Sequence, residues 1–284
     1  MHDETSRVET SGGSIDLRHF GQGTTLLLVH GLMVNGHLWD PLIAAVRDRF
    51  HMVVPDLPLG GHRTPLEPSA DCSLEAHAAR VIEIARKLSG PIVLVGSDTG
   101  GAISQIAVAR EPGLFDRLVL LPSDAFDNCP PKLLVPMRGL AAVPGAIRAV
   151  SLSLRLGFVK RAMMMLVSRS KVASGTVAEL LGALPYDRGV QRDFTKLLRG
   201  LRPEVTSAVA EELHRFKGRV LVVWSRKDPL FPFDHAQRLA ACFPHSSVAI
   251  AEHSRAFVSL DEPAWLAERI TEFIDDGGPS DDAM

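Results

Sequence analysis

The sequence contains few residues of several types that mark particular classes of protein. Its 284 residues include only three cysteines, and Cys72, Cys129 and Cys242 are too widely spaced for a zinc or redox motif. An odd number of isolated cysteines predicts free thiols in a reducing compartment, not a disulfide framework. We therefore expect neither a metal nor a cofactor.

A strong excess of charge and a long apolar run are also missing. The formal net charge is −2 and no block of like charge interrupts the chain, which argues against nucleic acid or an anionic membrane as the main partner. No apolar run is long enough to span a bilayer, and the polar residues 1–10 lack the apolar segment of a signal peptide. We expect a cytoplasmic protein that binds a small molecule, and the sequence leaves its oligomeric state open.

The chain does contain enough apolar sequence, 46% of its residues, to bury a large core in one α/β domain with an insertion. Short runs rich in branched apolar residues alternate with stretches of helical periodicity. The predicted strands are residues 24–29, 51–56, 91–96, 114–121, 219–224 and 247–251, after a hairpin at 7–20, and the predicted core helices include 39–46, 74–88 and 263–274. This alternation predicts a doubly wound, mostly parallel sheet with its site at the carboxyl ends of the strands.

The pattern changes near Phe126. Prolines punctuate helical stretches and no convincing strand occurs until about residue 206, so we interpret residues 126–206 as a helical cap inserted into the core. The core then comprises residues 1–125 and 207–276, and residues 277–284 are predicted to form a disordered tail.

Residues 91–102 have the pattern of a strand, a sharp turn and a helix, with glycines two positions before and two positions after Asp98. This spacing is typical of a nucleophile elbow, in which small residues let the chain reverse tightly and present one side chain. Making Ser97 the nucleophile would need glycine at Val95 and Thr99, so the spacing selects Asp98. The alternative is an aspartate that merely begins a helix.

Several motifs, in the same order along the chain, resemble those of the α/β-hydrolase fold over roughly residues 7–275. They are His30-Gly31, the loop from Asp56 to Gly61, the elbow at Asp98, Asp228-Pro229, and Phe257 followed by Glu262-Pro263. An aspartate at the elbow resembles the haloalkane dehalogenase and epoxide hydrolase branch. The resemblance implies that Asp98 attacks an electrophilic carbon and forms an ester, which a histidine-activated water then cleaves.

The resemblance also implies roles for the residues around the nucleophile. The amides of Thr99 and of Leu32 or Met33 would form the oxyanion hole. Asp228 would orient a catalytic histidine, with Asp124 at the end of the preceding strand as the rival acid. Either aspartate could instead be a turn residue.

The histidine of this branch is missing from its usual position, because alignment on the Phe257 motif puts Ala256 there. His253 lies three residues upstream and could replace it if the loop is remodelled. His62, in the loop after the second buried strand, could act as a displaced base or as a substrate ligand. The residue at position 256 matters because, without a base near Asp98, the ester would form once and persist. A hydrolase that turns over needs such a base.

A helical cap implies an apolar pocket for a small or medium hydrophobic substrate. The candidates to line it are His30, Met33, Asp124, Phe126, Met164, Tyr186 and Phe257. His30 is also expected to hold the oxyanion loop by hydrogen bonds. Tyr186, the one tyrosine of the chain, could protonate the oxygen of an opening epoxide.

Three functions remain open from the sequence. The first is hydrolysis of an epoxide or alkyl halide through an ester on Asp98. The second is a non-hydrolytic isomerase, lyase or cyclase on the same scaffold, with Asp98 as general acid or base. The third is a catalytically dead member that binds a ligand and needs neither Asp98 nor Asp228.

Overall fold

An eight-stranded sheet organises residues 4–276, which are the residues that the computed structural model describes. Its strands are β1 (Glu4–Thr10), β2 (Gly13–Phe20), β3 (Thr24–Val29), β4 (Phe50–Pro55), β5 (Ile92–Asp98), β6 (Arg117–Ser123), β7 (Arg219–Ser225) and β8 (Ser246–Ala251). Their order across the sheet is β1-β2-β4-β3-β5-β6-β7-β8. All neighbours from β4 to β8 are parallel, whereas β1 with β2 and β2 with β4 are antiparallel. The doubly wound, mostly parallel sheet is therefore confirmed.

Twelve α-helices flank or cover this sheet in the described part of the chain. They are α1 (Asp40–Val46), α2 (Leu74–Ala85), α3 (Thr99–Arg110), α4 (Val135–Ala141), α5 (Ala146–Ser153), α6 (Gly157–Val167), α7 (Ser174–Leu181), α8 (Arg188–Gly200), α9 (Pro203–Glu212), α10 (His235–Ala240), α11 (Val258–Asp261) and α12 (Pro263–Asp275). None of them has the combined length and apolarity that crossing a bilayer requires.

The two faces of the sheet bury alternate side chains of the same strands. In β3, Leu26 and Leu28 belong to the apolar cluster that includes residues of α1 and α12, whereas Leu27 and Val29 belong to the cluster with α2 and α3. Successive side chains of a strand point to opposite faces, so a strand covered on both sides reads as a continuous apolar run. This is why β3 could be recognised from its sequence.

Local turn chemistry sets some element ends differently from the prediction. The predicted strand at 114–121 begins only at Arg117, because the Leu114 amide donates to the Glu111 carbonyl and closes a turn. The predicted helix at 74–88 ends at Ala85, and the amides of Lys87 and Leu88 close tighter turns on Ile84 and Ala85.

Helices α4 to α9 all lie between β6 and β7, where the sequence predicts a helical cap. The predicted boundary at residue 206 falls inside α9, a helix that packs against α3 of the core. The predicted tail at 277–284 lies outside the described residues.

The cap rests on the loops that follow β3 and β4. The Asn35 side-chain amide donates to the Gly61 carbonyl at 3.0 Å and to the Glu179 carbonyl of α7 at 2.7 Å. Asp193 of α8 is fully buried and accepts a 2.7 Å hydrogen bond from the Leu66 amide. Buried polar groups with satisfied partners fix how the cap sits on the core.

Asp193→Ala is expected to destabilise the fold more than loss of an ordinary helix cap. Removing one member of a buried, hydrogen-bonded charge group costs about 3 kcal/mol, because its partners are left buried and unpaired. The comparison is Asp187→Ala, which removes the side chain that caps α8 and should cost about 1 kcal/mol. Urea unfolding of both variants measures the difference, and equal losses would contradict this account of the joint.

Candidate active site

Asp98 is the last residue of β5, and the chain turns sharply there into α3, which begins at Thr99. Its backbone has φ 56° and ψ −131°, a conformation that costs a non-glycine residue energy and persists only where the surroundings enforce it. The flanking glycines permit this turn, because a Cβ at Gly96 would lie 2.5 Å from the Ser104 hydroxyl and one at Gly100 would collide with the His30 carbonyl. The turn therefore has the geometry of a nucleophile elbow.

The loop after β3 approaches the Asp98 carboxyl from the other side. The Leu32 amide donates to Asp98 Oδ2 at 3.0 Å, and the Thr99 amide also hydrogen-bonds the carboxyl. Gly31 makes this approach possible, since a Cβ there would lie 2.5 Å from Asp98 Oδ2. Leu32 and Thr99, the two predicted oxyanion donors, are thus brought together around the Asp98 carboxyl.

Burial changes the acidity of this carboxyl. Asp98 is 5% exposed, and loss of solvation raises its pKa from 3.8 to about 7. The hydrogen bonds from Leu32 and Thr99 act in the opposite direction, and the negative charge of Asp228 raises the pKa further. Asp98 is therefore divided between its ionised and neutral forms near neutral pH.

Asp124 is coupled to the elbow through a threonine. The Thr99 hydroxyl donates to Asp124 Oδ2 at 2.9 Å, and within residues 4–276 the buried Oδ1 has no hydrogen-bond partner. Burial, followed by the charge of Asp98, raises the pKa of Asp124 well above its usual range. Burial and the charge of Asp98 therefore both favour the protonated form of Asp124.

Asp228 follows β7 and presents a different environment. Its Oδ1 accepts hydrogen bonds from the amides of Leu230 at 2.8 Å and Phe231 at 3.2 Å. Its Oδ2 is buried without a hydrogen-bond partner among the described residues. Burial raises the pKa of Asp228 to about 6, so this carboxyl is mostly ionised at neutral pH. Because its charge raises the pKa of Asp98, the two groups are close enough to interact.

The loop after β8 places alanine where the resemblance expects a histidine. Ala256 is fully buried, and the Ser225 hydroxyl holds the preceding residues through Ser254 Oγ and the Arg255 carbonyl at 2.8 and 2.7 Å. His253 is exposed, and its backbone amide donates to Glu262. The structure does not bring His253 to Asp98, because the loop carrying it is tied down by these hydrogen bonds and not remodelled.

The order of the strands and the turn at Asp98 agree with the comparison to known families. The sequence profile of the alpha/beta hydrolase fold family matches residues 24–263. The chain belongs to this family. This match confirms the predicted α/β-hydrolase fold and superfamily. It also confirms the prediction that the protein is a hydrolase.

Proteins similar to this α/β hydrolase are named for different activities. Haloalkane dehalogenase 2 of Mycobacterium tuberculosis is 28% identical over 276 residues, which cover 95% of this chain and 94% of the relative. A pimeloyl-[acyl-carrier protein] methyl ester esterase of Vibrio vulnificus is 27% identical over 256 residues, covering 89% and 95%. The structure of the epoxide hydrolase CorEH superposes with a TM-score of 0.81 at 18% identity, covering 97% and 99%. At this identity the structural likeness shows the fold alone.

His62 of this α/β hydrolase has its partners in the loop after β4 and in the cap. His62 is fully buried, with Nε2 3.5 Å from Asp193 Oδ2 and Nδ1 accepting from the Gly60 amide at 3.3 Å. Instead of facing the nucleophile as a displaced base, it therefore lies at the joint between core and cap. The pKa of Asp193 is lowered there: burial acts to raise it, but His62, Arg192 and the Leu66 amide outweigh burial.

His30 supports the oxyanion loop from inside. Its Nδ1 donates to the Gly31 carbonyl at 3.0 Å, and its Nε2 accepts from the Leu57 amide at 3.0 Å. Burial lowers the pKa of His30 to about 4, so it stays neutral and keeps this tautomer. Met33, the next loop residue, has φ 61° and its amide donates to the Leu59 carbonyl.

The remaining predicted pocket residues divide between the interior and the surface. Phe257 is 2% exposed and its amide donates to the Val167 carbonyl of α6, and Met164 is buried beneath a cleft in the cap. Tyr186, by contrast, is 63% exposed with Arg155 over its ring. Phe126 packs edge-on against His235 and lines a surface cavity of about 530 Å³. Tyr186 packs against Arg155, and Phe126 packs against His235 and Arg238, so their predicted place in the substrate pocket stays a prediction.

Asp193 is the important residue that sequence reasoning missed. In α8 the buried residues Val190, Phe194 and Leu197 recur at helical spacing, and Asp193 stands among them on the same face. A charged residue on the apolar face of a predicted helix is a signal for a buried partner. That signal identifies neither the partner nor its role.

Asp98→Asn is expected to stabilise the protein increasingly as pH rises. Because the folded-state pKa of Asp98 is raised from 3.8 to about 7, the folded wild type holds a proton that the unfolded chain releases across this window. The free energy of unfolding contributed by this group therefore falls from about pH 4 to about pH 7, by at most on the order of 4 kcal/mol. The asparagine side chain does not ionise, so it has no such cost. Its oxygen can still accept a hydrogen bond from the Leu32 amide.

Urea unfolding at a series of pH values tests this expectation. The difference in stability between Asp98→Asn and wild type should grow across the window and level off above it. The control is Asp234→Asn, because Asp234 is 70% exposed at its side chain and should give a nearly constant difference. A flat profile for Asp98→Asn would show that burial does not perturb this carboxyl.

Proposed function

We propose that this hydrolase forms an ester on Asp98 with a small hydrophobic substrate that carries an electrophilic sp³ carbon, such as an epoxide or an alkyl halide. The observation that carries the proposal is the hydrogen bond from the Leu32 amide to Asp98 Oδ2. It holds one carboxyl oxygen in the oxyanion hole and leaves the attack to Oδ1. The sequence similarity to a named haloalkane dehalogenase supports the same substrate class.

In the first step, Asp98 Oδ1 forms a bond to the substrate carbon while the carbon–halogen or carbon–oxygen bond breaks. The bonding electrons leave with the halide or with the opening oxygen. Burial favours this step, because a carboxylate without its hydration shell is a stronger nucleophile than one in water. Only the ionised form reacts, so the rate of ester formation should rise with pH through about 7.

In the second step, water attacks Cγ of the ester. Negative charge develops on Oδ2, where the amides of Leu32 and Thr99 can stabilise it. The bond between Cγ and Oδ1 then breaks, the product leaves as an alcohol that carries Oδ1, and the oxygen of water remains in Asp98. This step needs a base to accept the proton of water.

We assign the role of base to Asp228. It is the carboxyl whose pKa of about 6 keeps it ionised at neutral pH, and its buried Oδ2 lacks a hydrogen-bond partner in the described chain. His253 is exposed and His62 is engaged by Asp193, so neither offers an imidazole to the ester. Ala256 has no ionisable side chain, so it cannot supply the base either.

A second function is favoured by one specific observation. A buried acid with a pKa of about 7 is suited to exchanging protons at neutral pH, and Asp124, whose pKa burial raises well above its usual range, is linked to it through Thr99. On this account Asp98 is a general acid or base of an isomerase, lyase or cyclase. No bond to Asp98 forms.

Trapping the ester distinguishes these functions. Asp228→Asn keeps an oxygen that can accept from Leu230 and Phe231 but removes the base, so this variant should accumulate an adduct on Asp98. Intact-mass measurement after incubation with a panel of epoxides and haloalkanes detects it. Wild type should turn over the same reagent, with oxygen from labelled water entering Asp98.

Two controls make the outcome specific. Asp98→Asn should show neither adduct nor turnover, and Asp234→Asn should behave as wild type because Asp234 is exposed. Turnover by wild type without an adduct in Asp228→Asn would favour acid–base chemistry at Asp98. Tight binding of the reagents that survives Asp98→Ala, with no reaction in any variant, would indicate a ligand-binding protein.

A further inference from the structure

The cap carries a positive charge that the overall composition conceals. Between Asp127 and Glu179 the chain contains no acidic residue but eight lysines and arginines. They are Lys132, Arg138, Arg148, Arg155, Lys160, Arg161, Arg169 and Lys171. The net charge of −2, from which we expected no membrane partner, averages this segment with a more acidic core.

Large apolar side chains are exposed in the same part of the molecule. Of the nine large hydrophobic residues exposed in the described chain, all but Phe233 lie between Leu133 and Tyr186. Around α6, Leu156 is 50% exposed, Phe158 73% and Met165 60%. Exposed apolar side chains concentrated in one region mark an interaction surface.

Charge and apolar surface meet at one cleft, which we call the α6 face. It has a volume of about 790 Å³, and its lining includes Phe158, Met164, Met165, Lys160, Arg161, Arg169, Lys171 and Arg255. Within residues 4–276, no acidic side chain forms a salt bridge with any of these cationic side chains. The face thus offers unpaired cations beside exposed apolar groups.

We propose that the α6 face docks the protein on the surface of an anionic lipid bilayer. A helix with Phe, Leu or Met exposed next to Lys and Arg inserts its apolar side chains at the headgroup boundary while its cations contact anionic headgroups. Each basic residue near such a surface contributes attraction that salt screens. The absence of any acidic residue across residues 128–178 removes the repulsion that would oppose docking.

A bilayer suits this face better than an acidic protein. Lys160, Arg161 and Lys171 would attract either partner, but Phe158 and Met165, which line the cleft, keep 73% and 60% of their surface exposed to solvent. Hydrocarbon can cover apolar side chains that are this exposed without a matching surface. Acidic side chains on a folded protein would pair with the cations but would not cover Phe158 and Met165.

The α6 face is connected directly to the loop that carries Ala256. Asp261 accepts hydrogen bonds from the amides of Arg169 and Ser170 beyond α6, and also from the Arg255 amide. The positive charge of Arg255 also lowers the pKa of Asp228, although burial dominates that pKa. Docking would therefore bring hydrocarbon beside the loop that carries Ala256, and if Asp98 acts as proposed above, a hydrophobic substrate could enter from the bilayer on this side.

Vesicle sedimentation of the full chain tests the proposal. Wild type should bind vesicles of phosphatidylcholine mixed with phosphatidylglycerol, bind much less to phosphatidylcholine alone, and lose binding as salt is added. Lys160→Gln with Arg161→Gln should weaken binding about 30-fold, since each basic residue contributes about fivefold. Phe158→Ser should weaken binding without changing its salt dependence.

The matched control is the adjacent basic pair Arg86 and Lys87, which is exposed at the end of α2 in the core. Arg86→Gln with Lys87→Gln removes the same charge and should leave binding within about twofold of wild type. Equal weakening by the two pairs, or no binding of wild type to the anionic vesicles, overturns the proposal. Binding to polyglutamate but not to vesicles also overturns it and favours an acidic protein. Thermal unfolding confirms that each variant is folded.

Discussion

The hydrogen bond between the Leu32 amide and Asp98 Oδ2 is the contact on which the site depends. It joins the loop after β3 to the turn after β5, and both loops need small residues to come so close. The bond holds a carboxylate where solvent is almost excluded. Two amides only partly offset the lost solvation, so the pKa of Asp98 stays raised at about 7.

Three carboxyl groups share this region, and their environments separate their protonation states. Burial raises the pKa of Asp124 well above its usual range, that of Asp98 to about 7 and that of Asp228 to about 6. Like charges at short range cannot all ionise, so each proton bound by one group makes ionisation of the next easier. A site built from carboxyls can in this way hold both a proton donor and a base without an imidazole.

The sequence predicted the elements that depend on a few neighbouring residues. It did not predict the contacts between the cap and the core. The β-hairpin, the buried strands and the elbow at Asp98 follow from patterns a few residues long, and the structure has each of them. The orientation of Tyr186 and the partner of His62 depend on how the cap lies on the core. Those contacts join residues far apart in sequence, and no periodicity in either segment specifies them. Ala256 was predicted to stand in the place of the histidine because it departs from a motif only a few residues long.

Enclosure of Asp98 implies that the cap must move to admit a substrate, and the contacts of the cap suggest where. At one end Asp193 is fully buried and bonded to Leu66, so separating these groups would expose a charge and an amide together. At the other end, near α6, the amides beyond the helix bond to Asp261, a half-buried carboxylate that water can reach and solvate when they leave. Opening at the α6 end would also break the hydrogen bond from the buried Phe257 amide to the Val167 carbonyl. Both ends of the cap are therefore held by buried hydrogen bonds, and the α6 end differs in that water can reach the carboxylate it releases.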